Sequence, residues 1–69
     1  MTDLYVPTML TKQNVKLSSE KAVLFKVQDA QIWVPRSLMR EHPDGYYEVR
    51  RFFFEDKAWF FRKAEKVAI

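Results

Sequence analysis

The sequence predicts a mainly β domain, a small antiparallel meander that forms a curled sheet or a barrel of SH3-like or OB-like size. Three observations predict it. Residues 21–27, Lys-Ala-Val-Leu-Phe-Lys-Val, alternate at period two. Polar breaks at 28–30, 43–45 and 55–57 cut the rest of the chain into short runs. Those runs are rich in aromatic and β-branched residues, which suit a pleated, half-buried surface.

Taken in order, residues 3–17 are weakly patterned. Leu4 and Val6, beside Pro7, suggest a short extended segment, and Val15 and Leu17 alternate with Asn14 and Lys16. The alternative for residues 1–20 is a partly mobile N-terminal arm. From residue 21 the pattern sharpens. Val23, Phe25 and Val27 share one face of a strand, and Ala22, Leu24 and Lys26 share the other. Gln31-Ile32-Trp33-Val34 resumes after a short break, so the two runs read as a hairpin. Ile32 and Val34 point one way and Trp33 the other, and either set can face the core.

Pro35 has no N–H to give to a ladder, so it ends the second strand or confines it to an edge. Arg36–Arg40 can then form a short helical turn, with Pro35 at its start and Ser37 as a cap. His42-Pro43-Asp44-Gly45 is a turn, with Pro and Asp presetting it and Gly accepting positive φ. Residues 46–54 read as a long aromatic strand, with 58–63 as its hairpin partner across Glu55-Asp56-Lys57. A second reading of 58–69 stays open. Phe60, Ala64, Val67 and Ala68 lie on one helical stripe, which allows a C-terminal helix in place of the strand.

At 69 residues the chain is expected to be one domain, residues 1–69. A domain this small buries only ~60% of the surface that its unfolded form exposes. Such folds usually lean on disulfides, a metal or a second subunit. With no Cys and a single His, the chain has neither a disulfide nor a His/Cys zinc set, and no metal or other cofactor is expected. That leaves a dense aromatic core, from six Phe, three Tyr and two Trp, or a homodimer. A core this small cannot hide every ring, and exposed apolar patches mark interfaces.

The formal net charge is +3, from 12 basic and 9 acidic residues. This mild excess is compatible with nucleic-acid binding and argues against a mimic of DNA. No secretory pattern opens the sequence, and no apolar run nears the ~20 residues that span a bilayer. A cytoplasmic protein with no membrane partner is the expectation.

Catalysis has little to work with. His42 sits in a turn, the carboxylates are scattered, and a single Gly cannot build a phosphate-binding loop. We expect a binding module and no enzyme. The basic residues are more informative. Arg36 and Arg40 follow a Trp-bearing strand, Arg50-Arg51 interrupts an aromatic run, and Arg62-Lys63 follows another. Cations beside exposed rings bind single-stranded nucleic acid by phosphate contact and base stacking. The candidate contact residues are therefore Trp33, Arg36, Arg40, Tyr47, Arg50, Arg51, Trp59, Arg62 and Lys63. The competing assignment puts the rings in the core and leaves the charges as a solvated face.

Lys21-Ala22-Val23-Leu24-Phe25, followed by Gln31-Ile32-Trp33-Val34-Pro35-Arg36-Ser37, resembles a group of short uncharacterised phage and prophage proteins. Those proteins carry a K-A-hydrophobic strand and then W-[IV]-P-[KR]-S. The match covers residues 21–37, and the Phe-rich segment beyond it is unmatched. The resemblance implies a phage or mobile-element origin, often beside replication and recombination genes, and so the cytoplasm of a host cell. It implies no activity. Together these readings point to a small phage-type accessory protein that binds single-stranded nucleic acid weakly and without sequence preference. The alternative is a protein-binding factor or an inhibitor of a host enzyme.

Overall fold

The computed structural model describes residues 4–68, with side chains to Val67. Six strands come first: β1 (Tyr5–Thr11), β2 (Val15–Ser18), β3 (Ala22–Val27), β4 (Ala30–Pro35), β5 (Met39–Glu41) and β6 (Tyr46–Arg50). Two helices follow, α1 (Arg51–Asp56) and α2 (Ala58–Ala68). The strands form two antiparallel sheets, ordered β1-β6-β5 and β2-β3-β4. The mainly β fold is as the sequence predicts, but the two sheets do not close into one barrel. The chain crosses between them at two 3-10 turns, Lys12–Asn14 and Arg36–Leu38.

Each crossing has a local cause. At the first, Thr11 accepts a hydrogen bond from the Gln13 N–H at 3.3 Å, and Asn14 Oδ1 accepts one from the Thr11 N–H at 3.0 Å. These bonds cap the turn. At the second, Pro35 stops the β3–β4 ladder, and Arg36 begins the short helical turn expected there. Ser37 lies inside that turn and does not cap it. Pro35 is the N-cap residue and makes no side-chain cap bond.

β3 and β4 form the predicted hairpin, but its turn is only Gln28-Asp29, because Val27 already pairs with Ala30. A two-residue turn needs positive φ, and Gln28 sits at 55°. The other predicted turn is also present. Gly45 has φ of 99°, and its N–H donates to the His42 carbonyl at 2.9 Å. His42 stacks on Tyr46 with ring centroids 4.3 Å apart.

Residues 5–18 are built into both sheets as β1 and β2, so the arm reading does not apply to them. What that reading says of residues 1–3, and the tail reading of Ile69, lie outside the described residues. Thr8 is buried in β1, where the register against β6 slips. Its hydroxyl donates to the Tyr47 carbonyl at 2.7 Å and accepts from the Leu10 N–H at 3.1 Å, so nothing polar there is left unmade.

The main difference from the sequence reading is at the C-terminus. The expected aromatic hairpin of 46–54 with 58–63 does not form. The strand ends at Arg50, and residues 51–68 are helical with one break at Lys57. The cause is burial at helical period. Phe53, Phe60, Phe61 and Ala64 are all buried, with Phe60 seven residues after Phe53 and Ala64 four after Phe60 and three after Phe61. Phe54 stacks on Phe61 at 4.8 Å, a pair seven residues apart. Glu55 and Asp56, expected to break a strand, instead occupy the wet side of α1. The intrinsic strand preference of Phe and Trp yields to tertiary packing.

The core joins all layers: Leu10 of β1, Val23, Phe25 and Val27 of β3, Ile32 and Val34 of β4, Val49 of β6, and the helical Phe53, Phe60, Phe61 and Ala64. Among the described residues no helix is long and apolar enough to cross a membrane. Replacing the fully buried Phe60 with Ala should cost about 3–5 kcal/mol in urea unfolding. Trp59→Ala, one residue away on the exposed side of α2, should cost less than about 1 kcal/mol.

Candidate nucleic-acid interface

Three surfaces carry the expected contact residues, and they differ in how far their charges are already matched. The first is the outer face of β1-β6-β5. Arg40 Nε donates to Glu48 Oε1 at 2.8 Å, and its guanidinium lies 4.2 Å from the Tyr5 ring centroid. The Arg50 guanidinium is 4.6 Å from the same centroid. Both cations therefore have partners within the fold. Tyr47 faces inward, half-buried, with its ring edge-on to Phe25 at 5.1 Å. It serves packing.

Two further arginines bond to the backbone of other segments, Arg36 through its guanidinium and Arg51 only through its own backbone N–H. Arg36 Nε donates to the Ser19 carbonyl at 2.8 Å, which ties the second crossing to the β2–β3 turn. Arg51 opens α1, and its N–H donates to the Leu4 carbonyl at 2.8 Å. Arg50 ends a strand while Arg62 sits on α2, so no hairpin pairs them.

The second surface is the outer face of β2-β3-β4. Here the question left open at Trp33 is answered. Ile32 and Val34 are buried, and Trp33 points outward with half its surface exposed.

The third surface is the outer side of α2. Trp59, Arg62, Lys63, Lys66 and Val67 recur at helical spacing and, with Gln28, line an open groove of about 500 Å³. This follows from the packing described above. Once Phe60, Phe61 and Ala64 turn inward, the helix must present Trp59, Arg62 and Lys66 to solvent. Trp59 is 56% exposed. Arg62 and Lys66 enter no ion pair among the described residues.

Lys63 is the exception. Its Nζ lies 2.7 Å from Asp29 Oδ1, joining α2 to the tip of the β3–β4 hairpin. The hydrogen bond from Lys63 holds the Asp29 carboxyl below its ordinary value of 3.8, helped by a backbone hydrogen bond and by the charges of Lys63 and Lys26. The pair is exposed and adds little to stability. Its effect is to fix where the helix sits against the hairpin.

Gln28 also lines a second groove of about 330 Å³, with Lys16, Lys26 and Asn14. Asn14 Nδ2 donates to the Lys26 carbonyl at 3.3 Å and anchors that side. The two grooves meet at Gln28, so Lys16, Lys26, Lys63, Arg62 and Lys66 form one basic band. Asp29 lies within it and is already paired with Lys63. Of the residues expected from sequence, the band gathers Trp59, Arg62 and Lys63. It adds Lys16, Lys26 and Gln28, which sequence reasoning missed, and Lys66, which lies just beyond Arg62-Lys63 in the basic run but outside the expected contact set. Lys66 was within reach, since it stands at i+7 from Trp59 on the helical alternative. Comparison with protein-family models, curated proteins and solved structures finds no match to this chain.

The Asp29–Lys63 contact has a titration signature. A carboxyl with a depressed native pKa contributes stability above its unfolded value and loses it as pH falls through the native one. The Asp29 carboxyl carbon should therefore titrate by NMR with a midpoint below 3.8. Lys63→Gln should raise that midpoint.

Proposed function

We propose that the chain is a small phage-type accessory protein that binds single-stranded nucleic acid weakly and with little sequence preference, along the basic band that crosses α2 and the β3–β4 hairpin. One observation carries this reading: an exposed Trp59 sits on the same helical stripe as the unpaired Arg62 and Lys66, over a groove continuous with Lys16 and Lys26. Trp59 supplies a stacking platform that accepts any base. The cations supply phosphate contacts spaced along a path and not at a point. Gln28, at the junction of the grooves, offers both a donor and an acceptor to a base edge. The Trp33–Ser37 resemblance supports the phage setting, and the net charge of +3 supports modest affinity.

The band is open, so it excludes little water and does not enclose a base. That geometry supports tolerance of sequence. Each phosphate neutralised on a single strand contributes about −0.7 to the slope of log K against log salt, so three or four contacts give a slope of about −2 to −3.

Titration of the protein with oligo-dT at low salt should quench tryptophan emission at micromolar concentrations. Trp59→Ala should weaken binding by about tenfold, within the range for loss of one stacked base. Arg62→Glu with Lys66→Glu should abolish it. Arg40→Gln, on the self-paired outer face of β1-β6-β5, should leave it unchanged. No binding at tens of micromolar protein, or equal losses from the Arg40 and Arg62/Lys66 variants, would remove the proposal.

A further inference from the structure

The two sheets have unlike outer faces. On β1-β6-β5, Arg40 and Glu48 pair, and Tyr5 lies beside two guanidinium groups, so the face is matched within itself. On β2-β3-β4, Leu17 stands opposite Leu24, and Leu24 opposite Trp33, so three apolar side chains form a row across three strands. The row spans about 10 Å, two strand spacings. Leu24 in the middle is only 7% exposed, while Leu17 and Trp33 at its ends are 56% and 50% exposed. An antiparallel sheet with one wet face normally alternates apolar and polar residues. β3 departs from this, burying Val23, Leu24 and Phe25 in succession.

The charges on and beside the three strands are mostly basic. Lys16 lies in the β2 bulge, Lys26 follows Leu24 on the same face, and Lys21 and Arg36 stand at the far end. β2, β3 and β4 carry no carboxylate. Glu20, in the β2–β3 turn, is an exposed acid at one end, and Asp29 at the other end is held by Lys63.

We infer that this face docks an acidic segment of another protein, one whose apolar side chains cover Leu17, Leu24 and Trp33 while its carboxylates meet Lys16, Lys21 and Lys26. An apolar centre with a charged rim is the usual anatomy of a protein interface. Trp is the residue type that most often dominates such contacts. A second copy of this chain is a poorer fit, because a two-fold contact would set the same lysines against one another. Nucleic acid is also a poorer fit. Only Trp33 in the row has a π-face for a base, and the two leucines offer aliphatic surface suited to apolar side chains. This face and the α2 band share the cations Lys16 and Lys26 but have different anchors, Leu17, Leu24 and Trp33 here and Trp59 there, and neither proposal rests on the other.

The two tryptophans make the test selective. In Trp59→Phe protein, emission reports Trp33 alone. A synthetic peptide of Glu and Gln bearing three Leu residues should shift that emission to shorter wavelength and saturate. The same peptide with Lys in place of Glu should not. Leu17→Ser should weaken binding by about tenfold, as expected for one lost apolar anchor. Lys26→Glu, a fully exposed change that leaves the core intact, should weaken it by a similar factor and steepen the loss with salt. No Trp33 response to the Glu/Leu peptide at millimolar concentration would overturn the inference, as would an equal response to the Lys/Leu peptide. Oligo-dT shifting Trp33 emission in place of the peptide would assign the face to nucleic acid. A concentration-dependent dimer in sedimentation, abolished by Leu17→Ser, would assign it to a second copy. Failure of oligo-dT to reach Trp59 leaves the inference standing, since Trp59 is absent from the protein used.

Discussion

Everything in this molecule depends on the burial of Phe60, Phe61 and Ala64 against two sheets that do not close on each other. The six strands form two open three-stranded sheets, and no disulfide ties them together. The gap between the sheets is filled by aromatic rings delivered from a helix. Phe60 and Phe61 are 5.8 Å apart and nearly perpendicular, and Phe61 also meets Phe53 and Phe54. Edge-to-face and stacked contacts of this kind let the four rings pack against one another. The core is thus shared between strand and helix, and neither layer is complete without the other.

The surface follows from the same constraint. A helix that packs on the core from one side buries one stripe and leaves the opposite one to solvent. The packing of Phe60 and Phe61 therefore determines that Trp59, Arg62 and Lys66 face water together. The Lys63–Asp29 contact aligns that stripe with the hairpin tip, where Gln28 joins it to Lys16 and Lys26. Arg40, by contrast, pairs with Glu48 and lies over the Tyr5 ring, and Arg36 is bound to the Ser19 carbonyl.

Much of the β architecture is legible in the sequence. Val23, Phe25 and Val27 declare their face by period two, Pro35 marks the end of its strand, and Pro43-Asp44-Gly45 marks its turn. The C-terminal aromatic run was harder to read for a physical reason. Phe52-Phe53-Phe54 and Trp59-Phe60-Phe61 are continuous runs with no period of their own, and their residue types favour strands. Besides the Phe60, Ala64, Val67 and Ala68 stripe, the spacing between the two runs, seven residues from Phe53 to Phe60 and from Phe54 to Phe61, carries the helical signal. Reading it requires treating Glu55, Asp56 and Lys57 as one turn of a helix face and not as a loop. The candidate site was half legible. Trp59, Arg62 and Lys63 are neighbours in sequence, but Lys16 and Lys26 join them only through the pairing of β2 with β3 and the docking of α2 beside Gln28. No local pattern encodes those contacts.

Native-state hydrogen exchange is the most direct measurement of whether α2 is part of the core or an appendage to a self-sufficient sheet pair. If its rings complete the fold, the amides of Phe60, Phe61 and Ala64 will exchange only through global unfolding, with the same opening free energy as those of Phe25 and Val34. Exchange of the α2 amides well ahead of the sheet amides would contradict the account. It would mean that the two sheets hold together unaided.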